Sequence, residues 1–161
     1  MVEPAAHLAA LPRVAEELVP RAALDQRLTG ADQPFVVRGI ASDWPLVRAG
    51  LDGADAARNY LVEHSRDRSF AANIGTSAGD DRLFYDAEMR MNFRMVQGSL
   101  AEFLAAMAVA EAQGDAPVHY LSSVDMRDFF IGLAEENALP LGERRPLESI
   151  WIGTRTRIAA H

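Results

Sequence analysis

The last residue of the sequence is a histidine that follows a β-rich run, Ser149-Ile150-Trp151-Ile152-Gly153-Thr154-Arg155-Thr156-Arg157-Ile158-Ala159-Ala160-His161. An imidazole delivered on a strand could be one ligand of a metal site, which makes His161 a candidate; a solvated surface group or a tag remnant is the alternative for a terminal histidine. A catalytic ion takes about three protein ligands and keeps a position open for water or substrate. One imidazole therefore names a chemistry without completing its site. No two of the four histidines, His7, His64, His119 and His161, have the i, i+4 spacing of a helical metal site, which argues against a separate zinc centre. With no cysteine in the chain, thiolate ligation and disulfides are excluded. Glu16-Glu17, Asp80-Asp81 and Glu135-Glu136 read as solvated charge rather than paired catalytic carboxylates. Gly75 and Gly79 lack the fixed spacing and the lysine of a phosphate cradle. Arg144, Arg145, Arg155 and Arg157 form a local basic cluster, either a solvated face or a place to hold a carboxylate bidentately. None of these residues is assigned a catalytic role.

Such residues need a frame to hold them. A chain of 161 residues is long enough for one sizeable core, and 1–161 reads as a single domain. Its 49% hydrophobic content and mean hydropathy of -0.06 are those of a globular protein. The net charge of -7 gives no general attraction to phosphate backbones or anionic lipid, so neither nucleic acid nor membrane is expected as a partner. No run approaches the roughly 20 apolar residues of a membrane span and no signal-peptide pattern opens the chain, so a cytoplasmic location is expected. All sixteen cationic residues are arginine, which we read as a trace of a GC-rich genome.

Leu11, Val14, Leu18, Leu24 and Leu28 recur at near-helical spacing and predict an opening helix that ends near Thr29-Gly30. Residues 34–39 predict a buried strand, followed by a turn at Ser42-Asp43-Trp44-Pro45. Asp55 is placed to cap a helix with Ala56, Tyr60, Leu61 and His64 near one face. Residues 69–74 and 83–85 predict two short strands around a polar loop. Ser99-Leu100-Ala101-Glu102 is a capping box, and Phe103, Leu104, Met107 and Ala108 follow on one face up to the stop at Gly114. Residues 118–121 predict a strand, Asp125 caps a helix running to Asn137, and 149–153 predict the last full strand. Trp44 and Trp151, in apolar runs, read as core anchors. This irregular mixture of helices and strands favours an α+β fold over a doubly wound sheet.

Four segments in this order resemble the cupin-like, JmjC-type hydroxylases, which are iron(II)- and 2-oxoglutarate-dependent oxygenases. They are Pro34-Phe35-Val36-Val37-Arg38-Gly39 with Asp43-Trp44-Pro45; Phe84-Tyr85 with Met89 and Met91-Asn92-Phe93, followed by the helix from Leu100 to Met107; His119-Tyr120-Leu121-Ser122; and Ile150-Trp151-Ile152-Gly153 leading to His161. The resemblance implies an N-terminal cap of helices and strands leading into a double-stranded β-helix, or jelly roll, most of which lies beyond His161. It implies that His161 is the histidine of the family's HxD metal motif, whose aspartate and distal histidine fall beyond the sequence. A two-histidine, one-carboxylate triad leaves positions for cosubstrate and oxygen. On a regular strand His161 shares a face with Ala159 and Arg157. Tyr120 aligns with a tyrosine that often holds the distal carboxylate of 2-oxoglutarate; the alternative is a core tyrosine whose hydroxyl is satisfied by backbone. Ile158 stands where some members carry a threonine contact.

The reading that follows is the N-terminal part of an iron(II)/2-oxoglutarate oxygenase acting on a protein side chain or small molecule. By itself the chain is expected to bind neither group tightly and to turn over no 2-oxoglutarate. The competing expectation is a non-catalytic cupin-like module for interaction or homodimerisation, because an unfinished barrel leaves apolar side chains such as Trp151 and Ile152 without partners.

Overall fold

The computed structural model describes residues 13–76, 81–114 and 116–158. In chain order the elements are β1 (Ala15–Glu16), a 3-10 turn (Arg21–Ala23) running into α1 (Leu24–Thr29), β2 (Phe35–Val36), α2 (Pro45–Asp52), α3 (Ala54–His64), β3 (Phe70–Gly75), β4 (Arg82–Leu83), β5 (Phe93–Gly98), α4 (Leu100–Gln113), β6 (His119–Asp125), α5 (Met126–Phe129), α6 (Leu133–Glu136), β7 (Ser149–Gly153) and β8 (Arg157–Ile158). The fold is α+β, as the irregular patterning predicts. Its centre is a four-stranded antiparallel sheet in the order β5-β3-β6-β7. Two parallel pairs of two residues each, β1 with β2 and β4 with β8, flank it.

One face of the sheet carries the main core. Phe70 and Ala72 of β3 and Leu121 and Val124 of β6 pack there against Leu100, Phe103, Leu104 and Met107 of α4, Leu61 of α3, and Phe130 and Leu133. Burying each of these larger side chains stabilises the fold by about 1.5–3 kcal/mol. The geometry of α4 follows from its first turn: the Ser99 hydroxyl accepts from the Glu102 N–H at 3.2 Å, and the Glu102 carboxylate accepts from the Ser99 N–H at 2.9 Å. Gly114, at φ 77°, ends the helix in a conformation that glycine adopts without strain.

In β6 the register against β7 shifts between Leu121 and Val124, and Ser123 sits at φ 49°. The extra residue is a β-bulge. Both Leu121 and Val124 consequently reach the helix-covered face, although they are three positions apart.

Several local expectations are corrected. The leucine spacing at the start does not make one helix: Ala15–Glu16 is extended, Leu18 is fully exposed, and helical structure begins only after Pro20. Leu11 lies outside the described residues. The strand expected over 34–39 shrinks to two half-buried residues that pair with β1. Asp55 lies in the first turn of α3 but Gly53 is the cap, and the helix expected from Asp125 to Asn137 is split by Gly132 in the left-handed region. Asp125 does cap, accepting from the N–H groups of Arg127 and Asp128 at 2.9 and 2.8 Å.

Candidate functional site

The sheet face turned away from the helices carries the candidate site. Alternation along β6 puts Tyr120 there, opposite in direction to Leu121, and the β3 register sets it beside Asn73. A small second core forms around it from Val118, Leu83 of β4 and Phe93 of β5. Trp151 of β7 approaches edge-on, its ring centroid 6.1 Å from that of Tyr120. Only 9% of Tyr120 remains exposed, and its hydroxyl has no hydrogen-bond partner among the described residues. Burial raises the phenol above its usual pKa, so it stays a protonated donor at neutral pH. A buried donor without an acceptor is uncommon in folded proteins and calls for an explanation.

Gly153 explains how the ring fits. A Cβ at that position would lie 2.8 Å from the Thr156 hydroxyl and 3.0 Å from the Tyr120 ring. Thr156 is held by the carbonyls of Thr154 and His119, and the buried Thr154 hydroxyl accepts from the His119 N–H at 3.1 Å. The β6–β7 end is thus a rigid wall beside the phenol. His119 faces the other way, with Nδ1 3.2 Å from the Pro117 carbonyl, and burial keeps its imidazole below its usual pKa. Nothing in its surroundings makes it a ligand.

His161, the candidate metal ligand, lies outside the described residues, as do Ala159 and Asp80. Arg157 pairs with Arg82 in the β4–β8 ladder and its N–H donates to the Asp81 carbonyl at 2.7 Å. Among the described residues no three His, Asp or Glu side chains form a group able to hold a metal ion. No step through iron follows from them. For a dicarboxylate the fit is different, since the Tyr120 phenol is a donor with no acceptor among the described residues.

The arginines that cluster in sequence are dispersed in space. Arg144 is paired with Asp25 and donates to the Thr29 hydroxyl at 2.6 Å, Arg155 reaches the carbonyls of Gly114 and Ala116, and Arg145 turns to the carbonyls of Glu143 and Arg144. Neither tryptophan is a core anchor: Trp44 is half-buried and donates to the Ala138 carbonyl at 3.2 Å, and Trp151 is 48% exposed and is a wall of the Tyr120 site. Gly153 is the residue that sequence reasoning missed; its only signal was a glycine closing an apolar strand.

No helix among the described residues is long and apolar enough to cross a membrane. A family model described as a cupin-like domain matches residues 20–161. No curated protein matches the chain.

Proposed function

The chain belongs to the cupin-like domain family, and we propose that it carries the cosubstrate-contacting part of a JmjC-type, iron(II)- and 2-oxoglutarate-dependent hydroxylase. The observation that supports this reading is the buried Tyr120 hydroxyl, which has no partner among the described residues. A phenol held protonated by burial donates well to a carboxylate, and Tyr120 is assigned the carboxylate of 2-oxoglutarate farther from the metal. Leu83, Val118 and Phe93 keep water from that hydroxyl, so the bond would form in a low-dielectric setting. Gly153 leaves the ring its room. His161 is assigned as one metal ligand, with the remaining ligands supplied from outside these residues. When bound, iron(II) and 2-oxoglutarate supply the oxidising power to hydroxylate a C–H bond of a protein side chain or small molecule.

The reading frame beyond His161 tests this. An aspartate two codons on and a later histidine are expected; a stop codon directly after His161 overturns the catalytic reading. In the protein expressed from that whole frame, Tyr120→Phe is expected to raise the KM for 2-oxoglutarate about tenfold, the size of one lost hydrogen bond to a charged acceptor. An unchanged KM would remove Tyr120 from the site.

A second reading rests on the exposed apolar side chains Phe84, Tyr85, Met89, Met91, Met95 and Trp151. Patches of this kind mark interaction surfaces. It makes the chain a non-catalytic cupin-like module, and it is the reading that a stop codon after His161 would favour.

A further inference from the structure

The connector between α6 and β7 has a composition that keeps it out of the sheet. Pro140 and Pro146 cannot donate to a ladder, and Gly142 turns the chain at φ 60°. Two ties hold the connector in place. The Ala138 carbonyl accepts from Arg21 and from the Trp44 indole, while Arg144 is paired with Asp25 and donates to the Thr29 hydroxyl of α1. Gly142 passes so close to this second tie that a Cβ there would lie 3.0 Å from the Asp25 carboxylate. Along the tied connector runs a cavity of about 570 Å³, and a second cavity of about 290 Å³ shares Leu139, Leu141, Pro146 and Glu148 with it.

The larger cavity is charged on one side. Of the four arginines that cluster near the end of the sequence, Arg144 and Arg145 stay together here, and Arg127 joins them from α5. Arg127 is offset by Glu135 at 2.5 Å and by Glu148 at 2.6 Å, and Arg144 is offset by Asp25. Arg145 pairs with no carboxylate among the described residues. Its Nη1 donates to the carbonyls of Glu143 and Arg144, both at 3.1 Å, and these neutral acceptors leave its charge uncompensated. The Nε–Nη2 edge, which can grip a carboxylate bidentately, has no partner among the described residues. Opposite in character, Leu139 and Leu141 form an apolar wall that continues in the second cavity to Trp44 and Met126.

We propose that this cavity binds a small organic monocarboxylate with an apolar body. Its carboxylate sits on the Nε–Nη2 edge of Arg145, and its body lies along Leu139 and Leu141 toward Trp44. A single negative charge matches the single guanidinium that no carboxylate offsets. A dianion such as phosphate would bring its second charge against Glu148, which lines the same cavity. A volume of about 570 Å³ and a mostly apolar wall with few polar groups are those of a small-molecule site. The cavity lies at the Ser149 end of β7, whereas Gly153 and Tyr120 lie at the other, so it depends on neither reading of the Tyr120 site.

Titration of the isotope-labelled chain with sodium hexanoate at constant ionic strength, followed by amide NMR, tests this. Saturable shifts are expected over 138–149 and at Met126 and Arg127. Acetate, which leaves the apolar wall uncovered, is expected to bind about tenfold more weakly or worse. Hexanol is expected to do the same, because it offers Arg145 no charge. Arg145→Gln is expected to weaken hexanoate about tenfold while the rest of the spectrum is unchanged, since Arg145 is exposed. Hexanol binding as tightly as hexanoate, or hexanoate indifferent to Arg145→Gln, overturns the proposal. So does inorganic phosphate giving the same shifts at lower concentration. Shifts centred on 118–120 and 151–153 would place the carboxylate at Tyr120 instead and overturn it too, as would the absence of any saturable shift.

Discussion

At the residue scale the side chains around Tyr120 divide into those that sequence identifies and those that only three dimensions identify. Alternation in His119-Tyr120-Leu121 is enough to send Tyr120 and Leu121 to opposite faces. It cannot say that the hydroxyl lacks an acceptor among the described residues, because its surroundings come from β3, β4, β5 and β7, which lie elsewhere in the sequence. Gly153 was illegible for the same reason: its role is set by Thr156 and by Tyr120, on another strand. His119 gives a prediction at this scale. Burial, the largest influence, lowers its pKa; the Pro117 carbonyl raises it and Arg94 lowers it further. The unfolded chain therefore takes up the proton first as pH falls. Stability associated with His119 is complete above about pH 6.5 and is lost as pH drops through the lower folded value. Urea midpoints at pH 7.5 and 5.5 are expected to differ more for the native chain than for His119→Asn. Equal differences would mean that the imidazole is not desolvated.

At the scale of elements, the best-read helix is the one whose signal is a pair of side chains at fixed spacing. Ser99 and Glu102 specify the start of α4, and both bonds of the box are present. Ser99→Ala is expected to lower the unfolding free energy by about 1 kcal/mol, and a change under a few tenths in urea denaturation would show that packing alone sets the helix start. The opening helix failed because leucine spacing alone carried it. Pro20 interrupts the segment, and Leu18 faces solvent, so no core rewards the helical periodicity there. The break between α5 and α6 falls at Gly132, a residue the helical pattern of Phe129, Phe130 and Leu133 had absorbed.

Across the whole molecule, sheet order was the least legible property, since β3 pairs with β5 and β6 while β4 pairs with β8. Such pairings depend on long-range closure rather than on local pattern. The tie that joins the N-terminal helices to the later chain is equally non-local. Asn137 is buried, and its side chain accepts from the Leu46 N–H at 3.0 Å while donating to the Tyr60 hydroxyl at 3.1 Å and the Leu133 carbonyl at 2.9 Å. It thereby connects α2, α3 and α6. Arg21 adds a second tie, from the turn before α1 to the carbonyls of Ile40 and Ala138. Asn137→Ala leaves the Leu46 N–H without its side-chain acceptor and is expected to reduce stability by about 2–3 kcal/mol. Hydrogen exchange should then speed up in α2 and α3 together; acceleration confined to 133–137 would mean that the tie is local.

The bulge in β6 has a geometric consequence for the whole arrangement. Tyr120 and Val124 are both even-numbered, yet one faces the candidate site and the other the helices. In an unbroken strand they would be in phase, and either the phenol would be driven among the leucines of α4 or Val124 would be stranded on the opposite side. One inserted serine acts as a half-period phase shifter, so a single strand serves the Tyr120 site at one end and the main core at the other. Deleting Ser123 would restore the phase, and the site and the core would then compete for the same side of the strand.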